Sequence, residues 1–164
     1  MSEETPTVIE ELEGILSRLQ EGLEALMEAI EEAAPDEFER DRQGGDSVKR
    51  ILERAVDDVN FYYGRLVAKA VSLPQPPYME AADFTSLREA ATALQLAHRR
   101  FSNLLHDLRG DDLNRRTRLE STSDYTLRQV LETAAAHYRL RAEQIRNVRG
   151  GSTKGGRDDP RDRR

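Results

Sequence analysis

Four stretches of this chain repeat apolar residues at helical spacing, and a twelve-residue, proline-rich segment separates the second from the third. This pattern constrains the fold more than any other feature. In the first stretch, Val8, Leu12, Leu19, Leu23, Leu26 and Ile30 recur near every 3.5 residues, and Ile9, Ile15 and Leu16 widen the stripe. The spacing predicts a helix over 7–33, opened by a capping box in which Thr7 and Glu10 satisfy each other's backbone ends. Gly14 and Gly22 each weaken that helix by about 1 kcal/mol relative to alanine. Such glycines tolerate or permit close approach of a neighbouring helix.

"PDEFERDRQGGD" ends the first helix, and Asp46 or Ser47 caps the second. The second carries Val48, Ile51, Leu52, Ala55, Val59, Tyr62, Leu66 and Val67 and ends near Val71. The third follows "AADFTS", bears an apolar stripe from Leu87 to Leu108, and stops at "RGDD". The fourth follows "STSD", runs from about Leu127 to Val148, and ends at Gly150 and Gly151. Residues 150–164 are polar, Gly-rich and aperiodic, which reads as a disordered tail behind a domain spanning 1–149.

Four long amphipathic helices bury their stripes against one another, so the expected fold is an all-α four-helix bundle. The segment "SLPQPPYMEAAD", Ser72 to Asp83, sets its topology. At about 3.1 Å per residue in extended form, twelve residues reach ~37 Å. A helix of ~25 residues has the same length at 1.5 Å per residue. The linker can therefore return along the bundle and start the third helix parallel to the second, a crossover-type connection. A wandering loop with plain up-and-down topology is the alternative.

Composition narrows the function classes. Charged residues make up 34% of the 164, and no run approaches the roughly 18 apolar residues of a membrane span. The N-terminus "MSEETP" lacks the apolar core of an export signal, so the expected location is the cytoplasm. With no cysteine, disulfides, thiolate metal sites and thiol nucleophiles are excluded. The net charge of −6 is uneven. Residues 1–39 hold thirteen acids against Arg18 alone, which makes them −12 and leaves +6 on the remainder. An acidic helix lying against more basic helices of the same domain explains this split. The bases are interleaved with acids and aromatics are few, so a nucleic-acid partner is not expected. Homodimerisation through a bundle face is a further expectation.

Two segments, "GGDSVKRILERAVDDV" and "YTLRQVLETAAAHYRLRAEQI", bring in a resemblance. The first is similar to the turn and second helix of the DinB-like superfamily (DinB/YfiT-like metalloenzymes), although Asp46 stands where tryptophan is common. The second is similar to that superfamily's fourth helix, down to the closing Ala-x-Gln-Ile. Together the likeness covers roughly residues 8–149. It implies the same four-helix bundle with a long second connection. It also implies a metal held by three histidines at the positions of Arg54, His137 and Arg141, and an activity such as metal-dependent thiol S-transfer or a related isomerisation.

Only His137 keeps the ligand type. Guanidinium has no lone pair to donate and stays charged, so two arginines repel a divalent cation and coordinate nothing. No cofactor is expected on this reading, and a three-ligand zinc site cannot be built from the trio. Three arrangements of Arg54, His137 and Arg141 stay open. The arginines can pair with Asp57, Asp58 or the acids of the first helix, as partly buried guanidinium requires. The three can instead face one cavity and hold a small carboxylate or phosphate, with the arginines bidentate. A relocated metal site is the third. The expected function is thus a binding or interaction protein without the metal site, and a metal-dependent enzyme is the alternative.

The other notable side chains have plainer readings. His98 borders the third helix's stripe as a hydrogen-bonded or solvated helix-edge histidine rather than a metal ligand, and His106 lies exposed. Tyr62 falls on the second helix's core stripe, and Tyr138 borders that of the fourth; both read as core aromatics with the hydroxyl at the rim. Glu53 and Asp57 share a helix face, but the acidic constellation of a magnesium-dependent hydrolase is not evident.

Overall fold

The computed structural model describes residues 6–40, 45–75, 79–120 and 122–155, with side chains described over 8–148. Helix α1 spans Pro6–Glu32. Helix α2, Val48–Asp58, continues through a π-helical turn, Val59–Tyr63, into α3, Gly64–Ala70, as one interrupted rod. Helix α4 spans Leu87–Leu105 and α5 Leu127–Gly155. The rod, α1, α4 and α5 form the predicted bundle around one continuous core, whose fully buried members include Ile15, Leu52, Leu66, Leu94, Leu131 and Ile145.

Most element boundaries agree with the sequence pattern. Ser47 caps α2 by accepting the Arg50 N–H at 3.2 Å, and Ser86 caps α4 by accepting that of Glu89 at 3.1 Å. Helix α1 starts at Pro6, so Thr7 falls inside it, and the residues before Pro6 lie outside the described ones. At the other end, α5 continues to Gly155, past the Gly150–Gly151 pair at which its end was predicted. Glycine weakens a helix but keeps its N–H, so it does not force termination as proline does. The rest of the predicted tail, 156–164, lies outside the described residues.

One element had no counterpart in the sequence reading. Between α4 and α5, a 3₁₀ turn at Gly110–Asn114 leads into a two-stranded antiparallel ribbon that pairs Arg116 with Thr126 and Thr117 with Tyr125. It delivers Thr126 as the cap of α5. The Thr126 hydroxyl accepts the Gln129 N–H at 3.1 Å, and the Gln129 carboxamide accepts the Thr126 N–H at 2.9 Å, a capping box.

Ion pairs fix the direction of α1 against α5. Glu11 meets Arg128 at 2.6 Å, Arg18 meets Glu132 at 3.7 Å, Glu21 meets Arg139 at 2.9 Å, and Glu32 meets Arg146 at 3.8 Å. Partners advance together along both helices, so the two run parallel. The acidic first helix thus lies along basic positions of the last, as the charge split implied. Solvent screens exposed pairs of this kind, so they orient the helices more than they hold them. Close contact comes from Gly22, where an added Cβ would stand 2.9 Å from Tyr138 Cβ and 3.1 Å from the Ala135 carbonyl oxygen.

The crossover is real. At the end of α3, Ser72 adopts φ 59°, and the Leu73 N–H returns 2.8 Å to the Ala68 carbonyl, a Schellman closure that turns the chain off the rod. The chain then docks on the opposite end of the rod, at the first turns of α2. Glu53, only 3% exposed, accepts the Phe84 N–H at 2.9 Å, Lys49 Nζ at 2.5 Å and Arg50 at 3.3 Å. Lys49 Nζ also reaches the Phe84 carbonyl at 2.6 Å and Asp83 at 2.7 Å. Asp57 accepts the Ala82 N–H at 2.9 Å. Because α4 begins where α2 begins, the two run parallel. Burial pushes the Glu53 carboxyl up, but Lys49 and the Phe84 N–H outweigh it and hold the group below its ordinary range.

Two substitutions test these contacts. Glu53→Gln should cost about 2 kcal/mol, since a carboxamide accepts on one atom only and leaves a donor at this buried position without its acceptor. The check is a lower urea midpoint at unchanged slope. Gly22→Val should cost about 2 kcal/mol by overpacking α1 against α5, measured in the same way.

Candidate functional site

The site is built by the π turn. The Gly64 N–H bonds the Val59 carbonyl, an i→i+5 step that takes one residue more than an α-turn. An added Cβ at Gly64 would stand 2.8 Å from that same carbonyl oxygen, so the turn depends on glycine. The extra residue rotates the downstream side chains about the rod. Tyr63, not Tyr62, takes the core position after Val59, at 2% exposure. Tyr62 lies half-buried, its ring edge-on to that of Tyr63 at 5.0 Å, and its hydroxyl reaches the Tyr125 hydroxyl on the ribbon at 3.4 Å. The core assignment of Tyr62 is therefore corrected by one residue.

Tyr63 points across to α5, where its hydroxyl bonds His137 Nδ1. Burial pushes the Tyr63 hydroxyl far above its ordinary range, with Asp58 adding to the effect, so it keeps its proton. Burial lowers the basicity of His137; Asp58 opposes this and Arg141 reinforces it. With tyrosine protonated and imidazole neutral, the hydroxyl donates to Nδ1 and the ring's own proton sits on Nε2.

Asp58, the last α2 residue before the π turn, completes the cluster. Its Oδ2 lies 4.0 Å from His137 Nδ1 and 3.1 Å from Arg141 Nη2. Arg141, with 15% of its side chain exposed, also donates from Nη1 to the Gln144 carboxamide at 3.1 Å. Its buried Nε has no hydrogen-bond partner among the described residues. One helical turn before His137, a pocket of about 120 Å³ opens between the rod, the ribbon and α5, lined by Tyr62, Tyr63, Leu66, Tyr125, Gln129 and Thr133. Hydrogen bonding to Tyr125 pushes the Tyr62 hydroxyl up to about 12, so it keeps its proton.

Of the residues predicted from the sequence, His137 and Arg141 come together, and Asp58 joins them as the expected acid partner. Arg54 does not join them: its guanidinium pairs with Asp46, both groups being well exposed. Asp57 pins the crossover instead, and burial pushes its carboxyl up. A set of two arginines and one histidine facing a common cavity is not what this arrangement provides. Tyr63, Tyr125 and Gln129 were missed as site members. The T-x-x-Q box at Thr126 carried a signal for Gln129; the π turn that places Tyr63 carried none beyond Gly64 itself. His98 and Tyr138 form a second pair at 2.9 Å, which places the helix-edge histidine in the core and the Tyr138 hydroxyl inside rather than at the rim.

The metal implied by the resemblance does not fit these residues. His137 and Asp58 are the only donors of the cluster suited to a cation, and Arg141 already occupies the carboxylate. Among the described residues, no group of three His, Asp or Glu side chains converges in a way that could hold a metal ion. No family model, curated protein or solved structure matches the chain. No helix among the described residues is long and apolar enough to cross a membrane.

The balance of forces on His137 is testable by NMR titration of its imidazole. In the wild type it should titrate below the ordinary histidine value of about 6.5. Tyr63→Phe, which removes the donor to Nδ1, should raise that midpoint. Arg141→Leu should raise it too, whereas Asp58→Asn should lower it.

Proposed function

We propose that this chain is a divergent DinB-like domain that works as a binding protein, with the tyrosine-lined pocket beside Tyr63 and His137 as its recognition site. The observation that carries this reading is the Asp58–Arg141 pair at 3.1 Å next to a neutral Tyr63–His137 couple. Opposite charges cancel there, and what the pocket offers is the phenol oxygens, the Gln129 amide N–H groups and the Thr133 hydroxyl over an apolar wall. Such a lining suits a small, uncharged ligand with one or two hydrogen-bonding groups and an apolar body. A carboxylate or phosphate ligand needs spare positive charge. Arg141 is committed to Asp58 and Arg54 to Asp46, which favours the neutral ligand over the anion.

A thermal-shift comparison tests this. A ligand specific to the folded state raises the melting temperature. Phenol, benzamide and N-methylacetamide should stabilise the wild type more than Tyr63→Phe, and acetate and phosphate should do little. If the acids prevail and Arg141→Leu abolishes their effect, the anion pocket is the correct reading. Stoichiometric zinc or nickel after purification without a metal-affinity tag, lost in His137→Leu, would instead support the metal-dependent transferase or isomerase.

A further inference from the structure

The exposed seam between α1 and α4 is not used by the pocket described above. A groove of about 300 Å³ runs along it, lined by Leu16, Leu19, Gln20, Ser102 and Leu105, with buried His98 at its base. The α1 side continues as an incompletely covered apolar stripe. Ile9 is 41% exposed, and Leu16, Leu23 and Met27 are only partly buried. These four recur every four or seven residues, so they share one line along the helix.

The two banks of the seam differ in charge. On α1, Glu13, Glu24 and Glu31 lie beside the apolar line and are exposed. On α4, exposed Arg88 and Arg99 fall on one face by their spacing of eleven residues, and exposed His106, the C-cap, follows seven residues on. Among the described residues, Glu13, Glu31, Arg88 and Arg99 have no ion-pair partner. Glu24 is held only by the Gln20 carboxamide at 3.1 Å. Helix α1 runs antiparallel to α4, because α1 parallels α5, α4 parallels α2, and α2 meets α5 through Asp58–Arg141 ahead of Tyr63–His137. That direction sets Glu31 level with Arg88, Glu24 near Arg99, and Glu13 near His106.

We propose that this seam is the interface of a two-fold symmetric dimer, in which α1 of each copy lies on α4 of the other. The charge pattern selects the symmetry. An axis across the helices would lay α1 on α1 and set carboxylate against carboxylate. An axis parallel to the helices lays each acidic bank on the other copy's basic bank, and each apolar line covers the other copy's groove. One patch therefore complements itself, as an isologous interface must. Opposite charges at the rim then fix orientation, and the apolar line excludes water between them.

Sedimentation equilibrium of the full chain at low and high salt tests this. The expected result is a dimer at micromolar concentration that weakens as salt is added. Glu24→Arg and Arg99→Glu should each weaken it roughly tenfold by placing like charges together, and the double variant should recover the wild-type affinity. These residues are exposed, so the variants should keep wild-type helicity and melting temperature as monomers. Leu16→Lys should give a monomer of unchanged circular dichroism. A wild type that is monomeric throughout overturns the proposal and leaves the seam to a different protein. A dimer indifferent to both charge reversals, or not restored by the double variant, overturns it as well.

Discussion

One buried carboxylate holds the topology together. Glu53 takes the Phe84 N–H, Lys49 and Arg50, and Lys49 in turn holds the Phe84 carbonyl. A backbone N–H and C=O of the crossover are thus satisfied by side chains of α2, as strand-like chain lying against a helix requires. Together with Asp57, which accepts the Ala82 N–H one turn further on, that dock favours a return along the rod over a short turn at its far end. The parallel course of α4, the packing of Phe84, and the opening of the α1–α4 seam all depend on where the linker is tied. Burying a carboxylate is costly unless it is fully paired, and here each oxygen has a cationic partner.

The π turn has a comparable reach in the middle of the rod. By inserting one residue after Val59 it turns Tyr63 inward, moves Tyr62 to the pocket wall, and leaves Asp58 directed at α5. Side chains from non-adjacent stretches of sequence meet within one cluster as a result. Such turns persist where something offsets their poorer hydrogen-bond geometry. Here the aromatic pair and the bond to His137 supply that offset.

The sequence made the bundle legible because helical periodicity and caps act locally. Ser47 and Ser86 cap where their residue types suggest, and the reach of the Ser72–Asp83 linker foreshadowed the parallel return. The charge split between the first helix and the rest foreshadowed the ladder from Glu11–Arg128 to Glu32–Arg146. The site was legible in half. His137 and Arg141 sit four residues apart on one helix, so their meeting is a local fact, and Asp58 was among the acids within reach. Arg54 was not readable in this way. Its partner was decided by the competition between Asp46, just before its own helix, and groups on another helix. The one-residue shift of Tyr62 and Tyr63 escaped for the same reason. A π turn changes phase without a distinctive residue pattern, and the ribbon at Arg116–Thr117 is too short to show alternation.

The parallel course of α1 and α5 has a mechanical side. The start of α1 and the far end of α5 lie at opposite poles of the bundle, about 40 Å apart for helices of this length. Tension applied between those poles would slide α1 lengthwise along α5, loading the Gly22–Tyr138 contact and every Glu–Arg rung at once. The bundle is thus braced against stretching along its axis, where an antiparallel pairing of its first and last helices would peel apart one rung at a time.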